Sequence, residues 1–203
     1  MTSPPATSMF FVRHAESADW ARQVCHGKLD VPLSSRGVAQ ASRISSHLAD
    51  ATLDAVYASP RSRAIATATA VAARHGLKPL IREALAEIDF GSFEGRTFDE
   101  IAAAHPDVYA RWMDEPASMH FPDGESFSDL RARVTSEIAR IRREHEGGAI
   151  AVVTHGGVIR AVLADVMRLN DETIFRIDQS WGGITLVEWI GDEPILRYVN
   201  VGV

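Results

Sequence analysis

The sequence has little of what secreted, metal-binding or membrane-spanning proteins need. Cys25 is the single cysteine among 203 residues, which excludes an internal disulfide framework and a zinc site built from cysteine pairs. The eight histidines show no His-Glu-x-x-His spacing. The first nine residues hold no basic residue and lead into no signal-like apolar run. The longest obvious apolar stretch, 149–153, is too short to span a bilayer. We therefore expect a cytoplasmic protein that binds neither a metal nor a membrane.

An excess of positive charge is also missing. Lys and Arg number 21 against 27 Asp and Glu, for a net charge of −6, which argues against a nucleic-acid or membrane-surface partner. An anionic small substrate is still compatible if a few positive groups cluster locally. Hydrophobic residues make up 46% of the chain, enough for one core. We expect a single domain over 1–203 with a disordered tail at 1–8. The oligomeric state is left open, with a dimer as one option.

Strand-like and helix-like segments alternate along the chain. The apolar patterns predict strands at 9–12, 55–58, 79–81, 149–153, 184–190 and 195–201. They predict helices at 34–48, 61–74, 126–145 and 158–167. Ser59 and Pro60 are interpreted as the N-cap and first position of the second helix. The weaker patterns of 97–126 are interpreted as a cap segment. This alternation predicts a three-layer α/β/α sandwich around a mostly parallel sheet.

Chemically active side chains lie where predicted strands end. His14 follows the first strand and His155 follows the strand at 149–153, and parallel sheets bind ligands at the carboxyl ends of their strands. Arg13, Arg63 and Glu87 occupy similar junctions. Together they supply a nucleophile, positive clamps and a proton donor, which are the parts that phosphoryl transfer needs. A small phosphorylated substrate is therefore expected.

Five short motifs then occur in a fixed order. They are Arg-His-Ala at 13–15, Gly-Lys-Leu-Asp-Val-Pro-Leu-Ser at 27–34, Ser-Pro-x-x-Arg-Ala-x-x-Thr at 59–67, Glu-Ile-Asp-Phe-Gly-x-Phe-Glu-Gly at 87–95 and Thr-His-Gly-Gly at 154–157. With them, the sequence resembles the histidine phosphatase superfamily, which includes cofactor-dependent phosphoglycerate mutases. The family hallmark is Arg-His-Gly, and alanine is a frequent variant at its third position. The resemblance runs from Met9 to about Val187.

The resemblance implies a role for each matching residue. His14 would be the nucleophile and form a phosphohistidine. Arg13 and Arg63 would bind the phosphoryl oxygens, and His155 would both bind phosphate and assist catalysis. Glu87 would protonate the leaving alcohol and then activate water. The implied protein is a metal-independent phosphomonoesterase with a phosphoglycerate mutase-like fold and no cofactor.

Several assignments stay open. Arg61 competes with Arg63, although the motif spacing selects Arg63, and Asp89 and Glu94 compete with Glu87. The loop after His14 offers candidate substrate contacts, namely Ser17, Trp20 and His26. A further aromatic set is open to two interpretations, lining of a cap or ordinary packing: Tyr109, Trp112, Phe121 and Phe127.

Two other functions also remain. A phosphoglycerate mutase would transfer the phosphoryl group between hydroxyls, but mutases usually carry Asn where this chain has Trp20. They also have a longer insertion after the proton-donor motif. From a different class, a non-catalytic module would bind a phosphorylated ligand without turnover.

Overall fold

A computed structural model describes residues 5–203. Within them, six strands form one sheet in the order β3-β2-β4-β1-β5-β6. Their bounds are β1 Ala6–Arg13, β2 Ala55–Ala58, β3 Leu80–Ile81, β4 Ala149–Thr154, β5 Ile184–Ile190 and β6 Glu193–Val201. Strands β1 to β4 pair in parallel, whereas β5 is antiparallel to β1 and β6 is antiparallel to β5. The predicted mostly parallel sheet is confirmed, with an antiparallel extension at one edge.

The first strand begins earlier than predicted. Residues 1–4 of the expected tail lie outside the described residues, but 6–8 belong to β1, so a disordered tail reaching residue 8 is wrong. Ser8 pairs with Ala149 of β4, and Thr7 is buried and accepts a hydrogen bond from the Gly147 amide at 2.9 Å. These backbone partners come from distant parts of the chain, which is why local apolarity did not indicate them.

Seven α-helices are formed within the same described residues. They are α1 Ser35–His47, α2 Ser62–Arg74, α3 Phe98–Ala104, α4 Pro106–Asp114, α5 Phe127–Glu144, α6 Gly156–Val166 and α7 Asp171–Ile174. Ser34 caps α1, and Ser126 with Asp129 forms the predicted capping box of α5. The short α7 was not predicted. None of these helices is both long and apolar enough to cross a membrane.

Strands β2 and β4 are buried on both faces, which explains their continuous apolar runs. On one face Phe11 and Val152 share a core with α5 and α6. On the other face Val12 and Val153 share a core with α1 and α2. Successive side chains of a strand point to opposite faces, so the two cores alternate along β1 and β4. This arrangement confirms the predicted α/β fold.

The predicted cap segment contains α3, α4 and a turn that leads to α5. A capping box at Thr97 starts α3, and Pro106 starts α4. The Trp112 ring of α4 lies 5.8 Å from Phe90 and 5.0 Å from Phe121. The contact between Trp112 and Phe90 attaches the segment to the motif at 87–95.

Candidate active site

The pairing of β1 with β4 brings the two motif histidines together. Arg13 and Thr154 are the last paired residues of these parallel strands, so His14 and His155 follow at equivalent positions. The His14 amide donates a hydrogen bond to the Thr154 carbonyl at 2.8 Å. The two imidazole rings are 5.0 Å apart, centroid to centroid, at an angle of 63°. Both side chains are buried.

Hydrogen bonds determine which ring nitrogen of His14 carries a proton. Its Nδ1 lies 2.8 Å from the Ala15 carbonyl oxygen, and a carbonyl only accepts, so Nδ1 is the protonated nitrogen. When the ring is neutral, its lone pair is therefore on Nε2.

A second chain of hydrogen bonds acts on His155. Its Nε2 lies 2.7 Å from the Ser59 hydroxyl oxygen, which also accepts from the Arg61 amide at 3.3 Å. A hydroxyl oxygen has one proton and two acceptor sites, so Ser59 can donate to Nε2, with Nδ1 carrying the ring proton, or accept from a protonated Nε2. This Nδ1 is buried without a hydrogen-bond partner among residues 5–203.

The surroundings of both rings oppose protonation. Burial is the largest cause and lowers the pKa of His14 well below its usual value, with further lowering from Arg13 and Arg63. Burial likewise lowers the pKa of His155 well below its usual value, with contributions from Arg63 and His14. The two histidines are thus neutral at neutral pH, and the Nε2 lone pair of His14 is available.

Arg13 and Arg63 place positive charge beside these rings. Arg63 is 1% exposed, and burial lowers its pKa to about 10. Its guanidinium donates to the carbonyls of His26, Gly27 and Leu29 at 2.9 to 3.1 Å. Arg13 donates to the Gln179 carbonyl and lies 5.7 Å from the Trp181 ring centroid. In both arginines the buried Nε has no partner within the described chain.

Arg63 is distinguished from Arg61 by burial, since Arg61 is only half-buried. Arg63 also does more than the sequence indicated, because it anchors the loop that follows His14. Asp30 of the same loop accepts from the Ser62 amide at 2.8 Å, so the start of α2 and this loop are joined.

The three competing acidic residues have separate environments. Glu87 accepts from the amides of Ile88 at 3.0 Å and Gly157 at 3.2 Å, which places its carboxylate at the N-terminus of α6. Glu94 instead accepts from four backbone amides, those of 27, 28, 29 and 90. Asp89 contacts the Gly91 amide and the Lys28 ammonium. Of the three, Glu87 is the carboxylate that contacts α6, the helix that begins directly after His155.

The candidate substrate contacts differ in position. Ser17 is 1% exposed and its hydroxyl has no partner within 5–203, whereas Trp20 is 60% exposed. His26 is half-buried, its Nδ1 lies 2.7 Å from the Val24 carbonyl, and its pKa is lowered by burial. The charges of Arg63 and Glu87 also act on His26. The structure therefore places His26 near the site and Trp20 at the surface.

Ser59 corrects an interpretation of the sequence. The Ser59-Pro60 pattern predicted an N-cap, but α2 begins at Ser62 with Arg61 as its N-cap residue. Ser59 follows β2, and its amide donates to the Val153 carbonyl at 3.0 Å. Its hydroxyl is thereby held beside His155, which lies 96 residues away in the sequence. No local pattern could indicate this contact.

Arg160 and Gln179 were also missed. A Cβ atom added to Gly156 would lie 3.3 Å from Arg160 Nη1, 3.6 Å from Gln179 Cβ and 3.7 Å from Arg13 Nε. Gln179 is 3% exposed. Its amide nitrogen and the Nε of Arg160 are buried without partners among residues 5–203. The one available signal was the position of Arg160, five residues after His155 on α6.

A bidentate ion pair supports the segment that carries Glu87. Arg133 of α5 pairs with Glu125 through two contacts of 2.8 Å and donates to the carbonyls of Ala84, Ala86 and Glu87 at 2.8 to 3.0 Å. Glu125 in turn accepts from the Asp89 amide at 3.0 Å. This network ties the Glu87 backbone to α5.

The comparisons with known proteins agree with this arrangement. The model of the histidine phosphatase superfamily, branch 1, matches residues 9–202. The chain belongs to this superfamily. A histidine phosphatase is therefore the enzyme class of this protein, and the predicted membership is confirmed.

The alignments with individual relatives cover most of this histidine phosphatase. The chain is 32% identical over 162 residues to phosphoserine phosphatase 1 of Hydrogenobacter thermophilus, and the alignment covers 80% of this chain and 77% of that protein. The chain is 32% identical over 200 residues to phosphoglycerate mutase-like protein 4 of Arabidopsis thaliana, and the alignment covers 89% of this chain and 86% of that protein. The solved structure of Bacillus stearothermophilus YhfR superimposes with a TM-score of 0.91 at 27% identity, and the match covers 97% of this chain and 98% of that one.

Proposed function

We propose that this histidine phosphatase is a phosphomonoesterase that hydrolyses a small phosphorylated metabolite through a phosphohistidine on His14. The observation that carries the proposal is the state of His14. It is a buried neutral imidazole whose Nδ1 proton is held by the Ala15 carbonyl, which leaves Nε2 as the nucleophilic atom. A neutral histidine offers a lone pair at neutral pH without activation by a metal.

In the first half-reaction, Nε2 of His14 forms a bond to phosphorus while the bond to the ester oxygen breaks. Glu87, at the N-terminus of α6, gives its proton to the departing alcohol oxygen. In the second half-reaction, a water oxygen attacks phosphorus, the nitrogen–phosphorus bond breaks and Glu87 takes a proton from that water. The products are the alcohol and inorganic phosphate.

Positive groups would stabilise the negative charge of the phosphoryl oxygens during both transfers. Arg13 and Arg63 have unpartnered Nε atoms among the described residues, and His155 has an unpartnered Nδ1. Unpartnered buried donors are costly, and phosphoryl oxygens would satisfy them. A bound dianion would also raise the pKa of His155, so that this ring could supply charge as well as a hydrogen bond.

Rapid-quench labelling tests the intermediate. The protein is mixed with a ³²P-labelled alkyl phosphate in excess chelator, quenched in alkali or acid, and digested. We expect an acid-labile, base-stable adduct on the peptide containing residue 14, formed in the first turnover. His14→Ala should abolish both adduct and product. His47→Ala is the matched control, because this histidine is exposed at the end of α1, and it should retain both.

Experiments on the same protein distinguish the proposed function from the non-catalytic module and the mutase. Phosphate release without label at residue 14 would contradict the phosphohistidine route. Binding of a phosphorylated ligand with no release at any pH would indicate the non-catalytic module. Interconversion of 2- and 3-phosphoglycerate primed by bisphosphoglycerate would indicate the mutase.

A further inference from the structure

A cavity of about 150 Å³ lies beside Glu87, on the side of Gly157 and Arg160. Five of its eleven lining residues are aromatic: Phe90, Trp112, Phe121, Phe127 and Phe175. Three of the four aromatic residues of the open set line the cavity, where Trp112 packs against Phe121 and Phe127 packs against Phe175. Tyr109 packs against Trp112 and does not line it. Because Glu87 is the proposed proton donor, this cavity faces the side of the substrate that carries the leaving alcohol.

The size and lining of the cavity define what fits there. An apolar protein cavity of about 150 Å³ can hold one benzene ring. Burying such a ring against aromatic walls is favourable through the hydrophobic effect and ring-edge contacts. A purely hydrophilic leaving group would have few partners on these walls. The cavity thus fits a single ring, or a branched alkyl group of similar volume.

Arg160 adds one positive charge at the boundary between this cavity and the phosphoryl site. Its guanidinium lies 5.8 Å from the Phe175 ring centroid, on the cavity side. On the other side, Arg160 Nη1 and Arg13 Nε both approach the same point above Gly156. No carboxylate among residues 5–203 forms an ion pair with Arg160 within 4 Å, and its buried Nε has no partner there.

The half-buried guanidinium of Arg160 feels the negative charges of Glu87 and Asp178 without forming an ion pair with either, so it can still take an anionic partner. A carboxylate matches the fork of the guanidinium and binds it through two charge-assisted hydrogen bonds. The amide nitrogen of Gln179, also buried and unpartnered in the described structure, offers a further donor near Gly156.

We propose that Arg160 and the aromatic cavity form a specificity subsite that selects phosphate esters whose leaving alcohol carries a carboxylate beside one ring-sized apolar group. The inference rests on the proposed phosphatase function and names its substrate class. The ring occupies the cavity between Trp112 and Phe175, the carboxylate pairs with Arg160, and the ester oxygen lies next to Glu87.

Four matched secondary-alcohol esters separate the two parts of the subsite. The phosphate ester of mandelate carries the ring and the carboxylate, that of 1-phenylethanol carries the ring alone, that of lactate carries the carboxylate alone, and isopropyl phosphate carries neither. For the unchanged protein, we expect kcat/KM to be highest for the mandelate ester and lowest for isopropyl phosphate.

Substitution of Arg160 tests the carboxylate. Arg160→Met should lower the ratio of kcat/KM for the mandelate ester to that for the 1-phenylethyl ester by about tenfold or more, since a charged hydrogen-bonding pair is lost. Arg160→Lys should preserve part of the ratio because the charge remains. Arg143→Met is the matched control, because Arg143 is exposed on α5, and it should leave the ratio unchanged.

Substitution of a cavity wall tests the ring. Leu130→Phe would fill the cavity and should lower the mandelate-to-lactate ratio by about tenfold or more. Leu130 is fully buried and overpacking can prevent folding, so Trp112→Ala, which widens the cavity, is measured as well and should also lower this ratio.

The two proposals can fail separately. If all four esters are hydrolysed through the residue-14 adduct with similar kcat/KM, or if Arg160→Met slows them all equally, the specificity subsite is refuted while the phosphatase function stands. If no ester yields an adduct or phosphate, the proposed function itself is refuted.

Discussion

Replacing Gly157 with alanine would place a methyl group against the carboxylate of Glu87. The added Cβ would lie 2.3 Å from Glu87 Oε1 and 3.3 Å from Leu130 Cδ2. Real Cβ contacts are essentially never shorter than 3.0 Å, so the carboxylate must retreat by about 0.7 Å or more. It is the far end of a flexible side chain and can do so, which predicts a misplaced proton donor in a folded protein.

The magnitude follows from this displacement. A misplacement of about 1 Å can cost roughly 100-fold in rate. We therefore expect Gly157→Ala to lower kcat/KM for alkyl phosphates by about 10- to 100-fold, equivalent to about 1.4 to 2.7 kcal/mol. Stability should change little, because alanine gains up to about 1 kcal/mol over glycine in a helix and the tight Leu130 contact opposes that gain. The melting temperature should stay within about 5 °C.

The assay compares kcat/KM for two classes of phosphate ester. It also compares the effect of Gly157→Ala in the unchanged protein with its effect in the Glu87→Gln protein. Glu87→Gln should slow alkyl phosphates far more than p-nitrophenyl phosphate, whose phenolate leaves without a proton, and Gly157→Ala should show the same bias. In the Glu87→Gln, Gly157→Ala double variant, the alanine should lower kcat/KM almost no further, because both changes remove the same proton donation by Glu87. If Gly157→Ala slows the Glu87→Gln protein as much as it slows the unchanged protein, or affects both ester classes equally, the assignment of Glu87 as proton donor is wrong.

Further predictions concern the groups around these residues. Folding lowers the pKa values of His14 and His155, chiefly through burial, so the folded state loses stability as the pH falls below about 6.5, where the unfolded chain binds the extra protons. Urea unfolding of His14→Gln should therefore show a smaller loss of stability on acidification than that of the unchanged protein. Ser59→Ala should reduce kcat by about tenfold or more, because the His155 ring loses the hydrogen bond that holds its Nε2 in position; an unchanged kcat would contradict this role. Arg133→Met should lower the free energy of unfolding by about 2 kcal/mol or more, since Glu125 and three carbonyls lose their donor, which chemical denaturation would detect.

The local elements were largely predictable from the sequence because their signals are local. The strand at Ala55–Ala58 and the capping box of Ser126 depend on residues within a few positions of one another. The positions of His14 and His155 at strand ends were predicted for the same reason. Their separation of 5.0 Å was not, because it depends on the parallel register of β1 and β4.

Choices among neighbouring residues of similar chemistry needed the tertiary structure. Arg61 and Arg63 both start a helix, and only the packing of α2 against the loop at 26–29 buries Arg63. Glu87, Asp89 and Glu94 lie within eight residues, yet Glu94 accepts from three amides of the loop at 27–29, whereas Glu87 accepts from an amide at the start of α6. The role of each carboxylate therefore depends on which donors the fold brings to it.

The sequence by itself determined most of the strand and helix segments, the family and the residue types of the site, since these follow from periodicity and motif order. The tertiary structure decided the antiparallel edge formed by β5 and β6, the contact of Ser59 with His155, and the meeting of Arg160 with the aromatic cavity. These features join segments that are tens of residues apart. The free energy that specifies them comes from burial and hydrogen bonds between such segments, which no local pattern encodes.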